Sequence, residues 1–317
     1  MEHAENQHDN RKFHPCEVAS SYDSLINTAG LTLVTYNLMN IKAISATLIF
    51  VLAFLVAGFA QDQQSAVWNH KQFAVALTYD DGLNVHLDKV IPVLDSLGFK
   101  ATFYIPCNSS SLTNRLAEWK ALADHGHELG NHSIFHPCAG KSKGRAWVRA
   151  AYDLDHYNLS QMIDEIRLAN TFLRSIDGRT KRTFAYTCGD MAIGDSSFVD
   201  SIKNDFVAAR GVTSGMNHLN STDLQDIRTY TVDGQRSEEL TALVDQAKKE
   251  HALLVFLFHG VGGEHPMNIA LAEHNKLMRY LKQNEPEAWI APLVEIAAYM
   301  KQFNQGTDGK QGLPADK

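Results

Sequence analysis

Cysteine is scarce in this chain, 4 in 317 residues, and no Cys-x-x-Cys pair occurs, which argues against a zinc centre built from thiolates. No block of Lys and Arg stands anywhere, and the formal net charge is -7 with a pI near 6.1. Nucleic acid is therefore excluded as a partner, and a neutral or polar substrate fits better. No internal repeat or low-complexity block interrupts the sequence. What is present is 44% hydrophobic residues, enough for one large α/β barrel, and a single catalytic domain is the economical reading.

The beginning of the chain has the wrong order for an export signal, because a polar stretch from Met1 to Asp23 precedes the apolar run. Read from Met39, the order is right: Lys42, an apolar stretch from Ala43 to Phe59, and Ala-Gly-Phe-Ala ending at Ala60. The expected layout is an upstream or disordered segment 1–38, a signal peptide 39–60, a catalytic domain 61–303 and a disordered tail 304–317. The expected location is secreted or periplasmic. The alternative is an uncleaved membrane anchor over the same residues, and with no Cys after Ala60 a lipoprotein anchor is not indicated. Cys107, Cys138 and Cys188 then remain, consistent with one disulfide and a free thiol, the pairing left open.

From Phe73 onward, short apolar runs alternate with longer amphipathic segments, the pattern of repeated β/α units. Strands are expected at 73–79, 101–105, 128–132, 183–186, 206–209 and 253–258, with a further apolar segment at 289–292. Helices are expected at 85–97 closed by Gly98, 116–123, from a Ser160 cap to Ile176, 237–250, 267–282 and onward to Met300.

Three motifs fall at strand ends, where barrels assemble active sites. The first is Thr78-Tyr79-Asp80-Asp81-Gly82: of two adjacent carboxylates, one can ligate a metal while the other accepts a proton from water, although Asp-Asp-Gly is also an ordinary turn. The second is His132-Ser-Ile-Phe-His136-Pro137, two imidazoles spaced to face one point. With Asp81 they offer two nitrogens and an oxygen and leave a coordination position open, as catalytic zinc sites require. The third is Leu257-Phe258-His259-Gly260, an imidazole at the end of a strongly apolar strand.

In this order the three motifs resemble the polysaccharide deacetylases of carbohydrate esterase family four, which share a chitooligosaccharide deacetylase-like homology domain, and the resemblance runs from about Phe73 to Met300. It implies a distorted (β/α)7 barrel and a secreted hydrolase that removes N- or O-acetyl groups from a polysaccharide. It further implies Asp80 as general base, Asp81, His132 and His136 as ligands of a divalent metal, Zn2+ first and Co2+ or Ni2+ next, and His259 as general acid. The stretch Ala185-Tyr186-Thr187-Cys188-Gly189 corresponds to the family's oxyanion segment, with the Cys188 N–H as donor and Tyr186 beside it.

Two departures from that pattern bear on mechanism. Ala185 stands where the family has the Arg that pairs with the catalytic Asp, and Arg210 in Ala-Ala-Arg-Gly is the candidate replacement. The Asp-x-x-Asp-Trp motif that orients the late His is absent, with Asp190 or Asp233 as weakly placed substitutes. Of the aromatics, Trp119 and Trp289 read as core, whereas Trp147 and Tyr152, in the irregular stretch after the metal loop, are candidates for stacking on a sugar. His125, His127 and His156 need no role. Two other functions stay open: a small-molecule amidohydrolase of the same superfamily, and a carbohydrate-binding relative without turnover.

Overall fold

The computed structural model describes residues 68–308. The expected signal segment, everything upstream of it and residues 309–317 lie outside the described residues. Among the described residues, no helix is long and apolar enough to cross a membrane.

The chain alternates strands and helices, and one sheet of eight strands, parallel at every pairing, organises it. Its strands are β1 (Phe73–Asp80), β2 (Thr102–Ile105), β3 (Glu128–Asn131), β4 (Phe184–Ala185), β5 (Ala209–Arg210), β6 (Tyr230–Thr231), β7 (Leu253–Phe258) and β8 (Ala288–Ile290). The lateral order is β5-β4-β3-β2-β1-β7-β6. Beyond β5 the wall is carried round toward β6: Ile227 N donates to Ala209 O at 2.9 Å and Gly211 N to Ile227 O at 3.0 Å. These bonds give the seven-stranded curled barrel, and β8 is its distortion. It pairs with β1 at Phe73–Val75, below the point where β2 joins at Thr78–Asp80.

Every residue of β1 is buried, because its side chains alternate between two cores. Phe73, Val75, Leu77 and Tyr79 face the outer layer, packed with Val90, Leu94, Leu240, Val244, Leu277 and Leu281. Those partners lie on or beside α1 (Ile91–Leu97), α6 (Ser237–Glu250) and α7 (Leu271–Asn284). Ala74 and Ala76 face the interior, with Tyr104, Ala185 and Val255. The same period of two turns Asp80 into the barrel at its carboxyl end.

Several boundaries differ from expectation, each for a local reason. The helix after the metal loop, α4 (Leu159–Asp177), is capped by Asn158, whose side chain accepts from Gln161 N at 2.9 Å, rather than by Ser160. The strand expected at 206–209 is found at Ala209–Arg210, with Val207 N and Ala208 O already bonded to Arg182 O and Phe184 N ahead of it. The expected single helix 85–97 opens with a π-helical turn at His86–Val90. The helix expected at 116–123, α3 (Leu116–Asp124), is preceded by a short α2 (Ser110–Asn114), and a one-turn α5 (Val199–Ile202) follows the β4 loop. The last helix, α8 (Leu293–Asp308), continues into the stretch expected as tail. Its Leu293, Ile296, Ala297 and Met300 are fully buried against the barrel interior.

Candidate active site

The seven barrel strands deliver their chemical groups at one end. Asp80 closes β1, His132 follows β3, Cys188 follows β4, Arg210 closes β5 and His259 follows β7. The backbone there is strained. Among non-glycine residues, Asp81 (φ 76), Ser133 (φ 62), His136 (φ 55), Cys188 (φ 55) and Glu264 (φ 69) all occupy the left-handed region, a conformation that persists only where surrounding structure over-determines it. Gly82 (φ 56) continues the turn after Asp81, and a Cβ there would meet Ile105 at 2.7 Å.

The Asp81 carboxylate is the centre of the arrangement. Its Oδ1 lies 3.7 Å from His132 Nε2 and 3.5 Å from His136 Nε2, and its Oδ2 lies 3.6 Å from His265 Nε2 and 4.0 Å from His259 Nε2. His132 Nδ1 lies 2.9 Å from Ala185 O, so it carries the proton and leaves Nε2 as a lone-pair donor toward Asp81. His136 presents its Nδ1 edge to Cys138 Sγ at 3.5 Å, which likewise turns Nε2 inward. The ligand atoms of Asp81, His132 and His136 lie within 4.8 Å of one another. Two neutral nitrogens and a carboxylate oxygen at this spacing fit a divalent cation such as zinc and leave room for a further ligand.

The electrostatics agree with that donor set. Burial pushes the His132 imidazole down to about 4, so it is neutral at physiological pH. Burial alone would raise the Asp81 carboxyl, but His136, His132, His259 and His265 outweigh it and hold the group below its usual value. Burial also depresses His259, only partly opposed by Asp80 and Asp81.

Asp80 is 4% exposed and Arg210 fully buried. One guanidinium nitrogen, Nη2, donates to both carboxylate oxygens at 2.7 and 2.5 Å, and Nη1 donates to Gly211 O at 3.1 Å. The guanidinium also stands over the Tyr104 ring, 4.9 Å from its centroid. Arg210, on a strand separated from β1 by β4, β3 and β2, thus pairs with Asp80 where Ala185 cannot. Neither Asp190 nor Asp233 reaches His259. Asp190 is held by Arg145 at 2.5 Å and by Ala139 N, and Asp233 accepts from Asn268 N at 3.3 Å. His259 Nδ1 is buried with no hydrogen-bond partner among the described residues.

His265 is the member that motif reasoning missed. Its ring stacks on that of His259 at 4.6 Å with planes 12° apart. Glu264 holds it there by accepting from Val85 N at 2.7 Å and Asn84 Nδ2 at 2.8 Å, which pins the Gly-rich loop to the turn after the neighbouring strand β1. The available signal was a second His-Pro pair, His265-Pro266, matching His136-Pro137. His86 belongs to the same edge, with Nε2 donating to His259 O at 2.8 Å while Nδ1 accepts from Leu83 N.

The ligand loop is braced from behind. Glu165 of α4 accepts from Ile134 N, Phe135 N and Tyr157 OH, and Thr187 Oγ1 donates to Pro137 O. The disulfide is Cys138–Cys188, which ties this loop to the turn after β4 and leaves Cys107 free. Arg145 adds a second tie by donating to Cys188 O at 2.7 Å.

These groups line a cleft of about 960 Å3. Cys188 and Tyr186 are on its wall, but the Tyr186 hydroxyl is spent on Gln225 O at 2.9 Å, so the ring rather than the hydroxyl faces the cleft. Trp147 stands at the rim, 62% exposed. Tyr152 stacks on Phe135 at 5.2 Å beside it. Trp119 is core, and Trp289 packs on Tyr299 away from the cleft.

The family model for polysaccharide deacetylase matches residues 69–201. Among curated proteins, a gellan lyase from a Bacillus species is 27% identical over 172 residues, 54% of this chain but 6% of that protein. The uncharacterized protein YlxY of Bacillus subtilis (strain 168) is 41% identical over 58 residues, 18% of each chain. The chain thus spans a small part of the curated relatives it matches. Among solved structures, one assigned as a polysaccharide deacetylase from Mycobacterium smegmatis superposes with a TM-score of 0.53 at 12% identity, over 78% of this chain and 94% of the other. At that identity the likeness concerns the fold.

Proposed function

We propose, from the match of residues 69–201 to the polysaccharide deacetylase family model, that the protein is an exported, metal-dependent hydrolase that removes N- or O-acetyl groups from a polysaccharide. The observation that carries the reading is the division of labour around two adjacent carboxylates: Asp81 lies within reach of both ligand imidazoles, while Asp80, whose Oδ2 is 3.9 Å from His132 Nε2, has both of its oxygens held by Arg210. A divalent cation held by Asp81, His132 and His136 supplies Lewis acidity toward an acyl oxygen and acidified water, which is the chemistry amide or ester hydrolysis at neutral pH requires.

The chain's own groups do the rest. Asp80, oriented by Arg210, takes the proton from the attacking water. His259, across Asp81 from the ligand pair, relays the proton Asp80 has taken to the leaving nitrogen or oxygen. The Cys188 peptide, fixed by the disulfide and by the Arg145 contact to its carbonyl, offers the N–H that meets the developing oxyanion. Trp147 receives a sugar ring at the rim. A disulfide in a chain with few cysteines supports an oxidising compartment outside the cytoplasm.

One observation favours a different reading, a carbohydrate-binding protein without turnover: the buried Nδ1 of His259 has no partner to orient its ring. Acetate release from a panel of acetylated glycans separates the two. Release by the wild type, reduced by about 100- to 10,000-fold in Asp80→Asn as loss of a general base predicts, supports hydrolysis. Saturable glycan binding with no acetate produced sinks it.

A further inference from the structure

The outer part of the cleft is basic against an acidic background. The chain carries a formal net charge of -7, yet among the described residues lining the cleft the carboxylates are Asp80 and Asp81 alone, both committed to the catalytic centre, and the Lys or Arg residues are Arg145 and Arg149. Arg145 is spent on Asp190, Cys188 O and Ala139 O. Arg149 is different: it is exposed, it faces the cleft, and no hydrogen bond or ion pair joins its side chain to any described residue.

Arg149 sits two residues from Trp147, on an excursion between the ligand loop and α4 that is fixed in place rather than free. Cys138 anchors its start to Cys188. Gly140 N donates to Asp153 Oδ1 at 2.9 Å, and Cys138 N to Tyr152 O at 3.1 Å, which closes the excursion on itself. An exposed indole and an uncommitted guanidinium, two residues apart and both lining the cleft, can stack on a sugar ring and pair with an anionic substituent of it or of its neighbour.

Resting on the deacetylase reading, we propose that the polysaccharide is anionic, and that Arg149 selects it by pairing with a uronate carboxylate or a sulfate ester on a sugar near the one stacked on Trp147. Arg149 is a specificity residue and touches none of the reacting atoms. The pairing is solvent-exposed, so its contribution is modest and falls with salt.

The test uses the purified protein with zinc. Binding of oligogalacturonate, of a sulfated galactan oligosaccharide and of neutral galactan oligosaccharide of equal length is followed by quenching of Trp147 fluorescence, with Trp147→Phe as the signal control. Acetate release is measured in parallel on O-acetylated polygalacturonate and on its carboxyl-reduced, equally acetylated counterpart. The expected result is an affinity about two- to fivefold higher for at least one anionic oligosaccharide than for the neutral one, removed in Arg149→Glu, partly kept in Arg149→Lys and weakened by 0.5 M salt, on the order expected for an exposed charged contact. Response to galacturonate alone assigns a carboxylate, and to the sulfated sugar alone a sulfate ester. Equal affinity for all three sugars, or an Arg149→Glu variant with unchanged preference, overturns the inference even if acetate is released. Anion-selective binding with no acetate from any polymer leaves the inference standing and removes the deacetylase reading instead.

Discussion

Replacing Arg210 by Met keeps most of the side-chain bulk but strands the Asp80 carboxylate inside the barrel mouth. The carboxylate is 4% exposed, and the guanidinium supplies both of the hydrogen bonds that Arg210 makes to it. Removing one partner of a buried pair costs about 3–5 kcal/mol, most of it the uncompensated charge left behind. For a domain of roughly 150–250 residues each kcal/mol moves Tm by about 2–4 °C, so a fall of about 10 °C is expected. The loss should be reciprocal: Asp80→Asn in the Arg210→Met background removes the stranded charge and restores much of the stability, giving a double-mutant coupling of about 3 kcal/mol. Turnover should fall by about 10- to 100-fold in Arg210→Met with metal content unchanged, because the carboxylate loses its orientation and not the site its ligands. Arg210→Lys, which keeps charge but loses the planar group over Tyr104, should lie between. Calorimetric Tm for the four-member cycle, with acetate release and metal content for the singles, gives the answer. Additive Tm losses, or wild-type turnover in Arg210→Met, would refute the assignment of Arg210 to Asp80.

Opening the Cys138–Cys188 disulfide, which closes a loop of sequence separation 50, should destabilise the protein by about 4 kcal/mol on the chain-entropy account; Tm with and without reductant reads this, with Cys138→Ser/Cys188→Ser as the irreversible form. His265→Ala should lower turnover by about tenfold through loss of the ring stacked on His259, while metal content measured by elemental analysis stays at the wild-type value. Burial holds His274 and His127 down at about 4, below their ordinary value of 6.5, so in that window the unfolded chain binds more protons than the folded one. Stability should therefore be full above about pH 6.5 and decline as pH falls toward 4, by up to about 3 kcal/mol for the enclosed His274; a His274→Gln variant whose Tm falls as steeply with acid as the wild type would contradict this.

Much of the barrel was legible because hydrophobic period and turn residues report local structure directly. β1, β7 and α6 fall where the pattern puts them, the two strands as unbroken apolar runs and the helix through its periodic apolar face. The short strands are a different matter: β4, β5 and β6 hold two residues each, too few for a period of two to register, and their pairing is fixed by tertiary ladder bonds. The π-helical opening before α1 serves to bring His86 against the His259 carbonyl, a contact across 173 residues that no local window contains. The same reason explains the site. Asp80, Asp81, His132, His136 and His259 stand in compact motifs. The reach of Arg210 across the barrel mouth, the pairing of Cys138 with Cys188, the spending of Asp190 on Arg145 and the placement of His265 by Glu264 are decided only by the closed ring of strands.

The central claim is that Asp81, His132 and His136 hold a divalent ion on which deacetylation depends, with Asp80 acting as base rather than as ligand. Equilibrium zinc binding to metal-stripped wild type, Asp80→Asn and His136→Ala, measured beside acetate release by each, tests it most directly. The account predicts one tightly bound zinc in wild type and in Asp80→Asn, weak or no binding in His136→Ala, and acetate release by zinc-loaded wild type alone. Full acetate release by the metal-stripped wild type, or undiminished zinc affinity in His136→Ala, would contradict it.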